Sequence, residues 1–277
     1  MDMLVEHTDV PPGMTYRQAA RKAVAMCVSD FAAKGVRPNS FVASLGLRKG
    51  IGQKEVDGLA AGFRDAEKEW SVLLVGGDTN EAEELVIDCA MVGFAKRLVP
   101  RSGARPGDVL IVTGPFGYPP AGLAVLKGSA VARPKFEKKA RTSVLYPTPS
   151  LDVGIALAPH LSSAMDSSDG LARSLHTLAT ESNVGFEVTV LPVAEGVGAF
   201  ARANGLSEEK LVLEGGEEYA IVGTVPRSRV VAAKAGVRRA GGVLLEIGKV
   251  TSSAGRVTLA TGETQRTIRD AGWTHLR

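Results

Sequence analysis

The sequence predicts an α/β protein built in two halves. Three observations carry that reading. Short apolar strand-like runs alternate with long helix-like runs, glycines and prolines stand at the joints, and one Gly/Pro/Arg-rich stretch (LVPRSGARPGD) breaks the pattern before a fresh strand opens. A chain of 277 residues is long for one ordinary domain and comfortable for two. The break sets the boundary near Val99, giving residues 1–98 and 99–277.

The first half opens with MDMLVEHTDV, the end of a strand running into a loop, which Pro11 and Pro12 close. Thr15 is placed to cap a helix over 16–34, which Gly35 ends with Pro38 beyond it. Residues 40–47 (SFVASLGL) alternate as a strand, 53–70 form a second helix, and 71–75 (SVLLV) form a short strand that enters GGDTN, a sequence common in turns. Residues 85–94 give another strand. In the second half, strands are expected at 109–113, 163–166, 185–190 and 219–224, with helices at 150–160 and 170–182. The basic run RPKFEKKAR at 133–141 is interrupted by Phe136 and Glu137 and reads as a solvated helix face or loop.

Composition excludes several classes. The net charge is only +3 and no basic block marks a nucleic-acid tail. No apolar run approaches the roughly 20 residues of a membrane span, and the N-terminus lacks the pattern of a signal peptide, so a cytoplasmic protein is the expectation. The two cysteines, Cys27 and Cys89, lie in apolar stretches and read as small buried hydrophobes. The four histidines (His7, His160, His176, His275) have no metal-ligand spacing, and the chain has no P-loop, protein-kinase signature, H-E-x-x-H or G-x-S-x-G.

What stands out is a set of aspartates at strand ends or inside helices, beside small residues. Asp2 lies in MDMLV, Asp30 in CVSDFAAKG, Asp78 in VGGDTN, and Asp166 and Asp169 frame MDSSDGLA. A carboxylate in apolar surroundings is costly unless it is paired or bound to a metal. Asp166 and Asp169 also suit helix capping, whereas Asp30 lies mid-helix and caps nothing. Magnesium prefers oxygen ligands and joins carboxylates to substrate phosphates. A nucleoside triphosphate carries about four negative charges, so several cations suit the transfer of its end group.

Taken in order, DMLVE, VSDFAAKG, VGGDTN, RSGARPGD, DSSDGLA, GGEEYA and G-W-x-H-L resemble the thiamine-monophosphate kinase family of the PurM-like superfamily, over nearly the whole chain. The resemblance implies an N-terminal α/β domain that pairs with its twin in a homodimer, a C-terminal α/β domain, and ATP with several magnesium ions in the cleft. It implies Asp2, Asp30, Asp78, Asp166 and Asp169 as magnesium ligands, with Asp30, Asp78 and Asp169 central to catalysis. Ser168, Arg101 and Gly77 would meet ATP. Glu217 and Trp273, with Asp9 nearby, would meet thiamine monophosphate; indole offers a flat, partly cationic ligand both stacking and a cation–π face.

The chain also departs from the family. Asp9 stands where bacterial members have a substrate-contacting histidine, and GGEEY replaces the commoner G-G-E-D-Y. Members carry a further segment, ending in a G-D-D-A-A-like loop, ahead of the position matched by Asp2. The sequence in hand starts at Met1; a start assigned too late and a shortened member are both left open at this point. The implied reaction is ATP-dependent phosphorylation of thiamine monophosphate to thiamine diphosphate. The alternatives are another PurM-like enzyme, such as aminoimidazole-ribonucleotide synthetase, or a non-catalytic nucleotide-binding subunit. A selenophosphate synthetase would need a reactive N-terminal cysteine, and a hydrogenase-maturation enzyme a cysteine tail.

Overall fold

The computed structural model describes residues 1–262 and 264–274. The first half runs β1 (Asp2–Val5), a single helical turn α1 (Glu6–Asp9), α2 (Tyr16–Lys34), β2 (Pro38–Arg48), α3 (Gln53–Trp70), β3 (Leu73–Ala82) and β4 (Val86–Gly93). The second runs β5 (Val109–Val112), α4 (Tyr118–Leu126), α5 (Pro134–Leu145), α6 (Leu151–Leu157), β6 (Ser163–Asp166), α7 (Leu171–Ser182), β7 (Gly185–Val188), α8 (Val197–Ala203), α9 (Glu208–Leu213), β8 (Ile221–Val225), α10 (Val230–Arg239), β9 (Leu245–Thr251), β10 (Val257–Thr261) and β11 (Thr264–Thr267).

The halves form two mixed sheets, of order β1-β4-β2-β3 and β11-β10-β7-β9-β5-β8-β6. In the first sheet Leu4, Phe41, Ala43, Ile87 and Cys89 are buried under helices, while their neighbours Met3, Val42 and Val92 face outward and are exposed. This period-two alternation is that of a sheet with one covered face. Cys27 and Cys89 are buried and reduced, and burial pushes both thiols up, Cys27 to about 12.

Helix α2 organises the molecule. Thr15 and Gln18 form a reciprocal capping box at its start, and Gly35 takes the left-handed conformation at its end. A side chain at Gly35 would also collide with Ala158. Between them, nearly every residue from Gln18 to Ala33 is buried. A helix enclosed on all sides needs neighbours on all sides. Here α3 and α6 flank it, β1 and β4 of the first sheet lie on one side, and β6 and β8 of the second lie on the other. One apolar core therefore runs across both halves, from Leu4 and Val28 to Leu157, Ile221 and Val237. A second core forms where α7 packs Leu171, Leu175 and Leu178 against Phe186, Val222 and Val257.

One local expectation is corrected. GGDTN is not a turn after a strand, because β3 continues through it to Ala82. Gly77 allows this: a Cβ there would meet the Ala43 carbonyl oxygen at 2.0 Å, so β2 and β3 pair in parallel at that point only without a side chain. The basic run after Arg133 is the helix α5, started by Pro134 at its first position, and its exposed Lys135, Lys138, Lys139 and Arg141 make the solvated helix face expected. No helix among the described residues is long and apolar enough to cross a membrane.

Candidate active site at the junction of the two sheets

Lys22, Ser29 and Asp30 stand at positions i, i+7 and i+8 of α2 and share one face of that helix. The face meets the ends of two strands. Asp2 opens β1, in register with Cys89 on the covered side of the first sheet. Asp166 closes β6 in the second sheet, and its Oδ2 accepts a 2.6 Å hydrogen bond from the Ser29 hydroxyl. A residue from each sheet thus reaches the helix wedged between them.

Two loops complete the site. The Asp166–Gly170 loop is stitched to the Gly215–Tyr219 loop by backbone bonds from Ser167 to Ala220, Glu217 to Ser168 and Tyr219 to Ser167. Glu217 and Tyr219 both hold left-handed backbone conformations, with φ of 63° and 50°. Such conformations are costly for side-chain-bearing residues and collect at functional sites. The C-terminal segment joins them, as the Trp273 N–H donates to the Asp169 carbonyl at 2.9 Å. Trp273 is 49 % exposed, which excludes a role as a buried core plug.

The carboxylates crowd one another. Burial first, and then Asp30 with Asp169 and Asp9, raise the Asp2 carboxyl to about 6. Burial and then Asp30 and Asp2 raise Asp166 to about 6, against the opposing bond from Ser29. The buried Tyr219 hydroxyl is pushed up by burial and then by Glu217, Asp2, Asp166 and Asp9. Asp2, Asp30, Asp166 and Asp169 therefore share one electrostatic neighbourhood, although among the described residues no three such groups enclose a metal ion on their own. An all-oxygen, anionic, partly desolvated set without a closed cage fits magnesium, which keeps waters and takes its remaining ligands from phosphates. Two cations border the cluster: Lys34, whose ammonium donates to the Ala164 carbonyl at 2.7 Å, and the exposed Arg101 beside it. Burial and then Arg101 lower the Lys34 ammonium. Ser168 lies exposed on the Asp166–Gly170 loop.

The expectation that Asp78 converges with the others within one chain is corrected. Asp78 is exposed on β3 and shares a sheet row with Ser44, Asp88 and Met3, on the face away from α2. It stands three strands from β1, or roughly 14 Å at the usual strand spacing. Gly77 lies beside it, equally remote from the cluster.

The other end of the site surrounds Glu217. A cavity of about 530 Å³ opens there, lined by Glu217, Glu218, Tyr118, Tyr146 and Lys139 among others. Asp9 approaches it through its backbone; its carboxylate is occupied in the α1 turn, accepting from the Val5 N–H and the Thr8 hydroxyl, each at 2.8 Å. Sequence reasoning missed Lys22, Ser29, Lys34 and Tyr219. Lys22 carries a legible signal, a charged residue amid the apolar run of a helix too enclosed to expose it. His275 and Leu276 of the G-W-x-H-L segment lie outside the described residues.

Comparison with known proteins identifies the family. Residues 1–95 match the model of the AIR synthase related protein N-terminal domain, and residues 105–260 match its C-terminal domain. The thiamine-monophosphate kinase of Nitrosopumilus maritimus is 38 % identical over 277 residues, covering 100 % of this chain and 88 % of the relative. That of Pyrococcus abyssi is 36 % identical, covering 99 % and 84 %. Among solved structures, AaThiL complexed with AMPPCP and TMP superposes with a TM-score of 0.89 at 27 % identity, over 99 % of this chain and 85 % of that one. With both domains matched in order and relatives of this identity aligned end to end, the chain belongs to the thiamine-monophosphate kinase family of AIR synthase related proteins.

Proposed function

We propose that this chain transfers the terminal phosphoryl group of ATP to the phosphate of thiamine monophosphate, giving thiamine diphosphate and ADP in the cytoplasm. The observation that carries the reading is the crowded carboxylate set Asp2, Asp30, Asp166 and Asp169, with Glu217 and Trp273 joined by their backbones to Ser168 and Asp169 of the same loop. Magnesium bound by those carboxylates would supply charge neutralisation for the triphosphate. Arg101, Lys34 and Ser168 border the same space and would hold ATP oxygens. The acceptor phosphate is already ionised at neutral pH and needs no general base, so the protein's part is alignment and water exclusion.

The assembly belongs to the same proposal. The outer face of the first sheet exposes Met3, Val42 and Val92, and Leu73 and Val75 are exposed on the outer strand β3, with Val75 at 63 % and the neighbouring Phe94 at 84 %. A second copy covering that face would make a homodimer and take the exposed apolar side chains out of water. In that dimer Asp78, remote from its own cluster, would serve as a ligand at the partner's site.

The test is ADP release with ATP, magnesium and thiamine monophosphate. Asp30→Asn and Asp169→Asn are expected to lower turnover at least a hundredfold, about 2.7 kcal/mol of barrier. Wild-type turnover in either variant would show that the ligands are wrongly assigned; no turnover in the unaltered chain would favour a non-catalytic nucleotide-binding subunit.

A further inference from the structure

We propose that Lys22 is a positioning residue for the thiamine-phosphate substrate, acting through Glu217. The inference rests on the phosphoryl-transfer reading above and deepens it at the same site. Lys22 is fully buried, as completely enclosed as the core side chains of Phe41 and Phe116. A buried ammonium is costly unless its protons are met. Two partners meet it: the Asp9 carbonyl oxygen at 2.8 Å and the Glu217 Oε1 carboxylate oxygen. Lys22 belongs to α2 of the first half and Glu217 to the loop before β8 of the second, so this ion pair spans the two halves at the substrate end of the cleft.

Glu217 is held from both sides. Its backbone takes a left-handed φ of 63°, and its N–H donates to the Ser168 carbonyl at 2.7 Å. Its side chain ends on Lys22. The second carboxylate oxygen, Oε2, is buried and has no hydrogen-bond partner in the protein. An orphaned carboxylate oxygen beside a 530 Å³ cavity calls for a ligand that donates or carries positive charge. The aminopyrimidine N–H groups and the cationic thiazolium of thiamine monophosphate have that chemistry. Lys22 occupies Oε1 and so fixes the carboxylate, with Oε2 unpaired, at the wall of that cavity.

The cycle of Lys22→Met, Glu217→Gln and the double variant tests this, read as KM for each substrate and as thiamine monophosphate affinity by calorimetric titration. Each single change should raise the thiamine monophosphate KM about tenfold or more and leave the ATP KM within about twofold. The double variant should match Glu217→Gln, because Lys22 acts through that residue. Where Lys22→Met does not fold, the comparison of Glu217→Gln with the double variant still decides, since removing both charges of a buried pair is tolerated better than removing one. Additive losses, or an equal rise in the ATP KM, overturn the role of Lys22 in an enzyme that remains active. An unaltered chain that neither binds nor turns over thiamine monophosphate overturns instead the reading on which the role rests.

Discussion

Neutralising Asp166 should make the metal-free protein more stable and the enzyme inactive. Burial and the nearby Asp30 hold this carboxyl at about 6, against an unperturbed 3.8. A raised carboxyl favours the fold while it is protonated, so its contribution is complete below about pH 4 and is lost as pH rises toward 6. A difference of about two pH units corresponds to roughly 3 kcal/mol, an upper bound because relaxation and water reduce it. Asp166→Asn keeps an oxygen for the 2.6 Å bond from Ser29 and removes the charge. At pH 7.5 without magnesium the variant is expected to gain about 1–3 kcal/mol, or about 2–6 °C in melting midpoint for a chain of this size. The fall in wild-type stability between pH 4 and 6 should flatten in the variant. Magnesium with ATP should reverse the order, stabilising the wild type more, because ligand binding to the native state adds to its stability. Melting curves across pH, with and without magnesium and ATP, decide it. A lower midpoint for Asp166→Asn at pH 7.5 without metal, with an unchanged pH slope, would refute the reasoning that these carboxylates repel until a cation joins them.

Three further outcomes are expected. Trp273→Ala should raise the dissociation constant for thiamine monophosphate roughly five- to thirtyfold with ATP affinity unchanged, and Trp273→Phe should recover part of the loss; titration of both ligands checks it, and equal loss for both would count against the assignment. Light scattering should give twice the 28.9 kDa chain mass, and Val75→Asp on the exposed outer strand should shift it toward the monomer, whereas a monomeric wild type would contradict the pairing. Burial holds the Glu218 carboxyl at about 8 despite the bond from the Gly117 N–H, so stability should fall as pH rises from 4.5 toward 8, by at most on the order of 5 kcal/mol, and Glu218→Gln should remove the part of that fall above about pH 6 in denaturation curves.

Much of the architecture was written locally in the chain. The capping box at Thr15, the glycine at 35 and the run between them place α2 at Tyr16–Lys34, and the α3 limits follow the same kind of signal. Signals within a few residues determine helix ends because the groups they satisfy are within a few residues. The seven ordered segments likewise gave the family, and the oddly placed aspartates gave the chemistry. What local pattern did not hold was decided by pairing across the chain. GGDTN became the middle of β3 because β2 lies against it, which no neighbour in sequence reveals. Asp78 read like the other aspartates, yet sheet register put it on the outer face, while the same register turned Asp2 inward. Lys22 met its two partners 13 and 195 residues away. The sequence by itself determined which residues carry charge and where the long capped helices start and stop. Only the tertiary structure decided which charges face one another, because sheet order and the wedging of α2 between two sheets are set by burying apolar faces that lie far apart in the chain.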